Sequence, residues 1–191
     1  MKSPEQIGKI EAVVLYILQH FKSGVDYIKL FKIMYFAQRD YLATYGMTIV
    51  EDTFKARMRG PVPSLTYKVV KMVENGDIPN GEASDLEDFA SAIRIDGHKK
   101  IFASKEPDMD YISDMEKKEL DAIISKYKDV DSMDLSELSH DSAYQQALKN
   151  MADDPEKDVL TLIDIARAGH APKDMVKHIR EVQLIKSDFE C

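Results

Sequence analysis

Tryptophan is missing from this chain, cysteine occurs once, and eight glycines are spread over 191 residues. The single cysteine, Cys191, is the last residue and can close no loop within the chain, which excludes a disulfide scaffold and any Cys-x-x-Cys metal or redox motif. Scarce glycine, with no Gly-x-x-x-x-Gly-Lys, excludes the phosphate-cradling loop of nucleotide enzymes. No apolar run is long enough to span a bilayer. A basic leader followed by an apolar block is also missing, since Met-Lys-Ser-Pro-Glu-Gln leads straight into an amphipathic pattern. These features favour a cytoplasmic protein. Nor is there a basic excess: the formal charge is −8, which counts against nucleic acid held by the whole surface.

What is present is a globular composition, 44% apolar, in a length that suits one domain with a helical appendage. Ile7, Ile10, Val14, Ile17 and Phe21 recur at helical spacing and predict a first helix over 4–21, capped by Ser3 and Pro4. A second helix is expected at 26–45, with Asp26 as its cap and Gly46 as its stop. It is apolar around most of its circumference, with Lys29 and Lys32 forming one polar gap, so other elements must enclose it. Residues 53–59 alternate Phe54, Ala56, Met58 with Lys55, Arg57, Arg59, which predicts a half-buried strand. Gly60-Pro61-Val62-Pro63 reads as a rigid turn, and Ser64 as the cap of a helix at 65–75.

An acidic loop follows at 77–88. Strands near 89–95 and 99–104 are joined by Asp96-Gly97 as a hairpin. Ser113-Asp114-Met115-Glu116 has the form of a capping box and opens a helix to about Tyr127. Asp134-Leu135-Ser136-Glu137 repeats that form before a short helix through His140. Further helices are expected at 142–150, 154–168 and 172–185. The fold class is therefore mainly α (α+β), a compact helical domain with a short three-stranded β element.

Catalytic motifs are sparse. The five histidines form no His-Glu-x-x-His pair, and no Gly-x-Ser-x-Gly elbow is present. Ser139 and His140 are neighbours in sequence, and side chains of adjacent helical residues point different ways, so they read as a structural pair rather than a dyad. The Asp-rich stretch at 129–134 lacks the glycine and glutamate of a calcium loop. No enzyme, metal or cofactor is expected. Lys29, Lys32, Arg39, Lys55, Arg57, Arg59, Lys68 and Lys71 concentrate positive charge in one stretch. They read either as a local basic surface or as ordinary solvated faces. Tyr27, Phe31, Tyr35, Phe36, Tyr41 and Tyr45 read mostly as core, with Tyr35 open between core and surface.

The run Ile28-Lys29-Leu30-Phe31-Lys32-Ile33-Met34-Tyr35-Phe36-Ala37-Gln38 resembles the opening motif of the SocA-like antitoxins, the Panacea domain. Tyr41–Gly46, Phe54–Val62 and Leu135-Ser136-Glu137-Leu138-Ser139-His140 follow in the family's order, with Tyr144–Leu148 as the helix behind. Two departures stand out: Arg57 and Met58 occupy a segment where an aromatic is common, and Tyr144 stands nearest to a customary tryptophan. The resemblance covers about 5–150 and implies a domain over 1–150, leaving 151–191 as a C-terminal helical extension packed on that domain.

The resemblance implies a non-catalytic bacterial or phage-associated antitoxin that binds a co-encoded toxin and acts in some systems as an adaptor to a cytosolic protease. A DNA-binding or phage-associated regulator is the alternative. The expected partner surface combines Lys29, Lys32, Tyr35, Lys55, Arg57, Arg59, Gly60 and Pro61, with the strand offering an unpaired edge. The toxin's identity and the oligomeric state are not legible in the sequence.

Overall fold

The computed structural model describes residues 2–77 and 85–189; Cys191 and most of the expected acidic loop lie outside them. The order is α1 (Pro4–Gln19), α2 (Tyr27–Tyr45), β1 (Phe54–Arg57), β2 (Gly60–Pro63), α3 (Ser64–Asn75), α4 (Asp85–Ser91), β3 (Ile93–Ile95), β4 (Ile101–Ala103), a 3-10 turn (Met109–Tyr111), α5 (Asp114–Tyr127), α6 (Ser132–Leu138), α7 (Ser142–Asp153), α8 (Leu162–Ala168) and α9 (Lys173–Phe189).

α2 is the hub. α1, α5, α6, α8 and β2 pack around it, and an unbroken run from Leu30 to Gln38 is buried. That enclosure is what an all-round apolar helix requires. Its ends are set as the sequence predicts: Asp26 accepts from the Lys29 amide at 3.1 Å, and Gly46 closes the helix in the left-handed region at φ 72°. Capping boxes at Ser3/Gln6 and Ser113/Glu116 open α1 and α5. Leu160, Ile165, Ala166, Ala168 and Ile179 share the same buried cluster as α1 and α2, so the chain after residue 150 contributes to the core.

Several boundaries differ from expectation for physical reasons. Gly60–Pro63 is a strand rather than a turn. It pairs antiparallel with β1 across the two-residue turn Met58-Arg59, in the register Arg57↔Gly60, Ala56↔Pro61, Lys55↔Val62, Phe54↔Pro63. Hydrogen-bonded pairs alternate along such a ladder. Both prolines fall in the non-bonded pairs, where a missing N–H costs nothing. The expected three-stranded element is instead two separate two-stranded sheets. In the second, Ile93 pairs with Ala103 and Ile95 with Ile101. Its loop turns at Lys99, φ 59°, with Asp96 Oδ1 accepting from the His98 and Lys100 amides at 2.9 Å each; Gly97 is not the left-handed residue.

Phe89–Ser91 belongs to α4, where Asp85, Glu87 and Asp88 in the first turn suit a helix start. α6 is capped by Asp131 rather than by Asp134, and α7 by Asp141. The helix expected from 154 begins only at Leu162, because Asp158–Leu160 runs extended beside β1. There Ala56 N donates to Asp158 O at 2.7 Å and Leu160 N to Phe54 O at 2.9 Å.

Ser64 does not cap α3. Asp52 does so from twelve or more residues upstream, accepting from the amides of Leu65 (2.9 Å) and Thr66 (2.8 Å) and from the Thr66 hydroxyl (2.9 Å). Removing a capping carboxylate costs about 1–2 kcal/mol. For a chain of this size Asp52→Ala should lower the melting temperature by about 3–8 °C. A thermal melt superimposed on that of the wild type would contradict the assignment.

Candidate functional site

The three motif segments that lie far apart in sequence meet at the β1–β2 hairpin. Lys32, on α2, is 1% exposed, and its Nζ donates to the Pro61 carbonyl at 2.7 Å. No carboxylate among the described residues pairs with it, and burial pushes its pKa down from 10.5 to about 7. The Ser136 hydroxyl, on α6, donates to Arg59 O at 2.9 Å, and the Tyr144 hydroxyl, on α7, donates to Arg57 O at 2.8 Å. Alternate hairpin carbonyls at 57, 59 and 61 thus each take a donor from a different helix. Buried backbone acceptors need such partners.

Gly60 sits at the centre. Its φ of +94° is in the region that favours glycine, and a Cβ there would fall on Ser139 Oγ and reach within 3.0 Å of Lys32 Nζ and 3.3 Å of His140 Cδ2. Ser139 is buried and caps the end of α6, with its hydroxyl donating to Ser136 O at 2.6 Å. Because α6 ends at Leu138, Ser139 and His140 both converge on Gly60 instead of pointing apart. They are not wired as a dyad, since the Ser139 proton is committed to a carbonyl. His140 stacks on Tyr144, with ring centroids 4.5 Å apart at 14°, and its buried Nε2 has no hydrogen-bond partner among the described residues. Burial, with Lys32 adding to it, pushes the imidazole pKa down.

One turn further along α2, Tyr35 resolves as core: it is fully buried, and its hydroxyl donates to Asp141, 2.9 Å from each carboxylate oxygen. Burial and the Asp141 charge push the Tyr35 phenol up. Asp141 also caps α7 and receives Arg39 at 3.4 Å, while Arg39 is held by Asp40 at 2.8 Å.

The eight residues expected to form one partner surface therefore divide. Lys32, Tyr35, Gly60 and Pro61 are interior, which corrects the expectation of an exposed Lys29/Lys32 stripe. Lys29 is half-buried and donates to Lys128 O at 3.0 Å. Lys55 and Arg57 share the Asp158 carboxylate at 3.1 and 2.8 Å. Burial works against that charge, yet the two cations hold the Asp158 carboxyl below the usual range. Arg59 is exposed and meets no carboxylate among the described residues, and Met58 beside it is 85% exposed.

The expected open strand edge is also corrected: residues 158–160 cover the outer side of β1, and Lys32 takes the Pro61 carbonyl on β2. Sequence reasoning missed Asp158, Ser136, Asp141 and Asp52. Ser136 lay within the quoted Leu-Ser-x-Leu-Ser-His motif without a role assigned to it, and Asp141 carried a local signal, an Asp before a Ser-Ala helix start. Among the described residues no cluster of His, Cys, Asp or Glu is placed to hold a metal ion, and no helix is long and apolar enough to cross a membrane.

A mainly helical domain whose hub helix, Gly-Pro strand and Ser-His segment lock onto one hairpin defines the class. The family comparison matches residues 30–145 to "Antitoxin SocA-like, Panacea domain", and the chain belongs to that family. The matched stretch begins at Leu30 and ends at Gln145, so it contains every side chain of the hairpin lock. Neither the curated proteins nor the solved structures yield a match.

Proposed function

We propose that this chain is an antitoxin that neutralises a co-encoded toxin by direct protein–protein binding at the hairpin turn. It acts by occupying its partner rather than by making or breaking covalent bonds, in the bacterial cytoplasm or from a phage-associated locus. The observation that carries the reading is family membership together with the division of the motif residues. The interior ones immobilise the hairpin through three carbonyls, and facing outward are Arg57, paired with Asp158, Met58, and Arg59, which meets no carboxylate among the described residues. A rigid turn presenting an exposed apolar side chain beside a cation has little ordering entropy left to lose on binding.

The test is co-expression with a toxin candidate encoded beside this gene. The expected results are restored growth and co-purification of the two products; toxicity undiminished by the wild-type chain would reject the reading. Delivery to a protease is the finer variant. It predicts that the toxin's half-life in cells shortens at least about twofold when this chain is present, whereas simple neutralisation leaves the half-life unchanged or longer.

A further inference from the structure

We infer that the groove between the hairpin turn and α3 seats a partner segment carrying one or two large apolar side chains flanked by carboxylates. The partner's identity as the toxin rests on the antitoxin reading above; the chemistry of the groove does not. The cavity holds about 400 Å³ and is floored by buried Phe31 of α2 and Val70 of α3, with Tyr27, Val62 and Tyr67 as walls. Tyr67 is 42% exposed and packs edge-on against Phe31, centroids 6.2 Å apart at 75°. Met58 stands at the lip. Contiguous exposed apolar surface of this kind marks interaction sites, and the volume suits side chains rather than a folded domain.

The charges at the rim choose among apolar partners. Arg57 shares Asp158 with Lys55, Lys71 shares Glu74 with Lys99, and Arg59 meets no carboxylate among the described residues. Three cations, Arg57, Arg59 and Lys71, line the groove against one carboxylate, Glu74, which leaves a positive rim on a chain whose net charge is −8. Acidic groups on the incoming segment would complete those pairs, while basic ones would meet like charge around a partly desolvated floor. Nucleic acid fits less well, since phosphate binding calls for a longer basic track than this rim supplies.

The test uses the full chain and fluorescein-labelled ten-residue peptides carrying Phe and Leu among glutamates. Matched controls have lysines in place of the glutamates, or serines in place of the apolar pair. Fluorescence anisotropy should show the acidic apolar peptide binding at least about tenfold tighter than either control. Arg59→Glu and Tyr67→Ala should each weaken it about tenfold, and Lys117→Glu on the exposed face of α5 should leave it unchanged. Equal binding of acidic and basic peptides, or a single-stranded oligonucleotide that binds in preference, would overturn the proposal.

The toxin assay separates the two readings. If wild type, Arg59→Glu and Tyr67→Ala all neutralise equally, neither the groove nor the hairpin turn is the toxin's seat, and neutralisation by another surface is what stands. If peptide discrimination holds while wild type fails to neutralise, the groove chemistry stands and the antitoxin reading falls.

Discussion

Gly60→Ala is expected to lower the melting temperature by about 6–12 °C, the largest loss from adding one methyl group to this hairpin. Two costs combine. A left-handed backbone costs an L-residue roughly 1–2 kcal/mol, and overpacking a closed site costs about 1–3 kcal/mol. Both apply here, because Gly60 has φ +94° and its missing Cβ would collide with Ser139 Oγ. A total near 3 kcal/mol converts to that shift at about 2–4 °C per kcal/mol for a chain of this size. Ser139→Gly in the same chain should recover part of the loss, since it removes the collision and leaves the strained φ. A Gly60→Ala melt within 1–2 °C of wild type would mean that the three motif segments do not lock at this point.

The second large effect is a pH dependence traced to Lys32. In the folded chain its amine releases a proton at about 7, against an ordinary value of 10.5. Between those values the unfolded chain holds more protons than the folded one, so stability rises with pH across the window. The slope approaches about 1.4 kcal/mol per pH unit, or about 3 kcal/mol from pH 7 to pH 9.5. Below about 7 the folded amine is charged as well and the slope vanishes.

Lys32→Met removes this dependence and leaves the Pro61 carbonyl without its donor, an unsatisfied acceptor worth about 1–3 kcal/mol. Chemical denaturation at pH 7, 8 and 9.5 should therefore show wild-type stability climbing relative to Lys32→Met. Parallel curves for the two proteins would place the ammonium in solvent.

How much of this was legible follows from how local each determinant is. The caps at Ser3, Asp26 and Ser113 act within three residues, and the stop at Gly46 within four, so the sequence pattern contains them. The apolar character of α2 foretold its enclosure. Lys32 was misread because a lysine in an apolar run is ordinarily solvated; its partner is a single carbonyl 29 positions away. Asp52 was invisible as a cap for the same reason, since its acceptor role spans loop, two strands and a turn.

Residues 158–160 escaped because strand pairing with β1 depends on a neighbour a hundred residues earlier, while Asp154-Pro155 locally reads as a helix start. At the site, Arg57 and Arg59 look equivalent in sequence. Only the placement of Asp158 distinguishes a neutralised arginine from a free one.

The most direct measurement is calorimetric titration of the toxin candidate encoded beside this gene into wild type and Arg59→Glu. The account predicts that reversing this one exposed charge weakens association at least tenfold, about 1.4 kcal/mol, while the melting temperature stays within about 1 °C. Equal affinity for the two proteins, both fully folded, would contradict it.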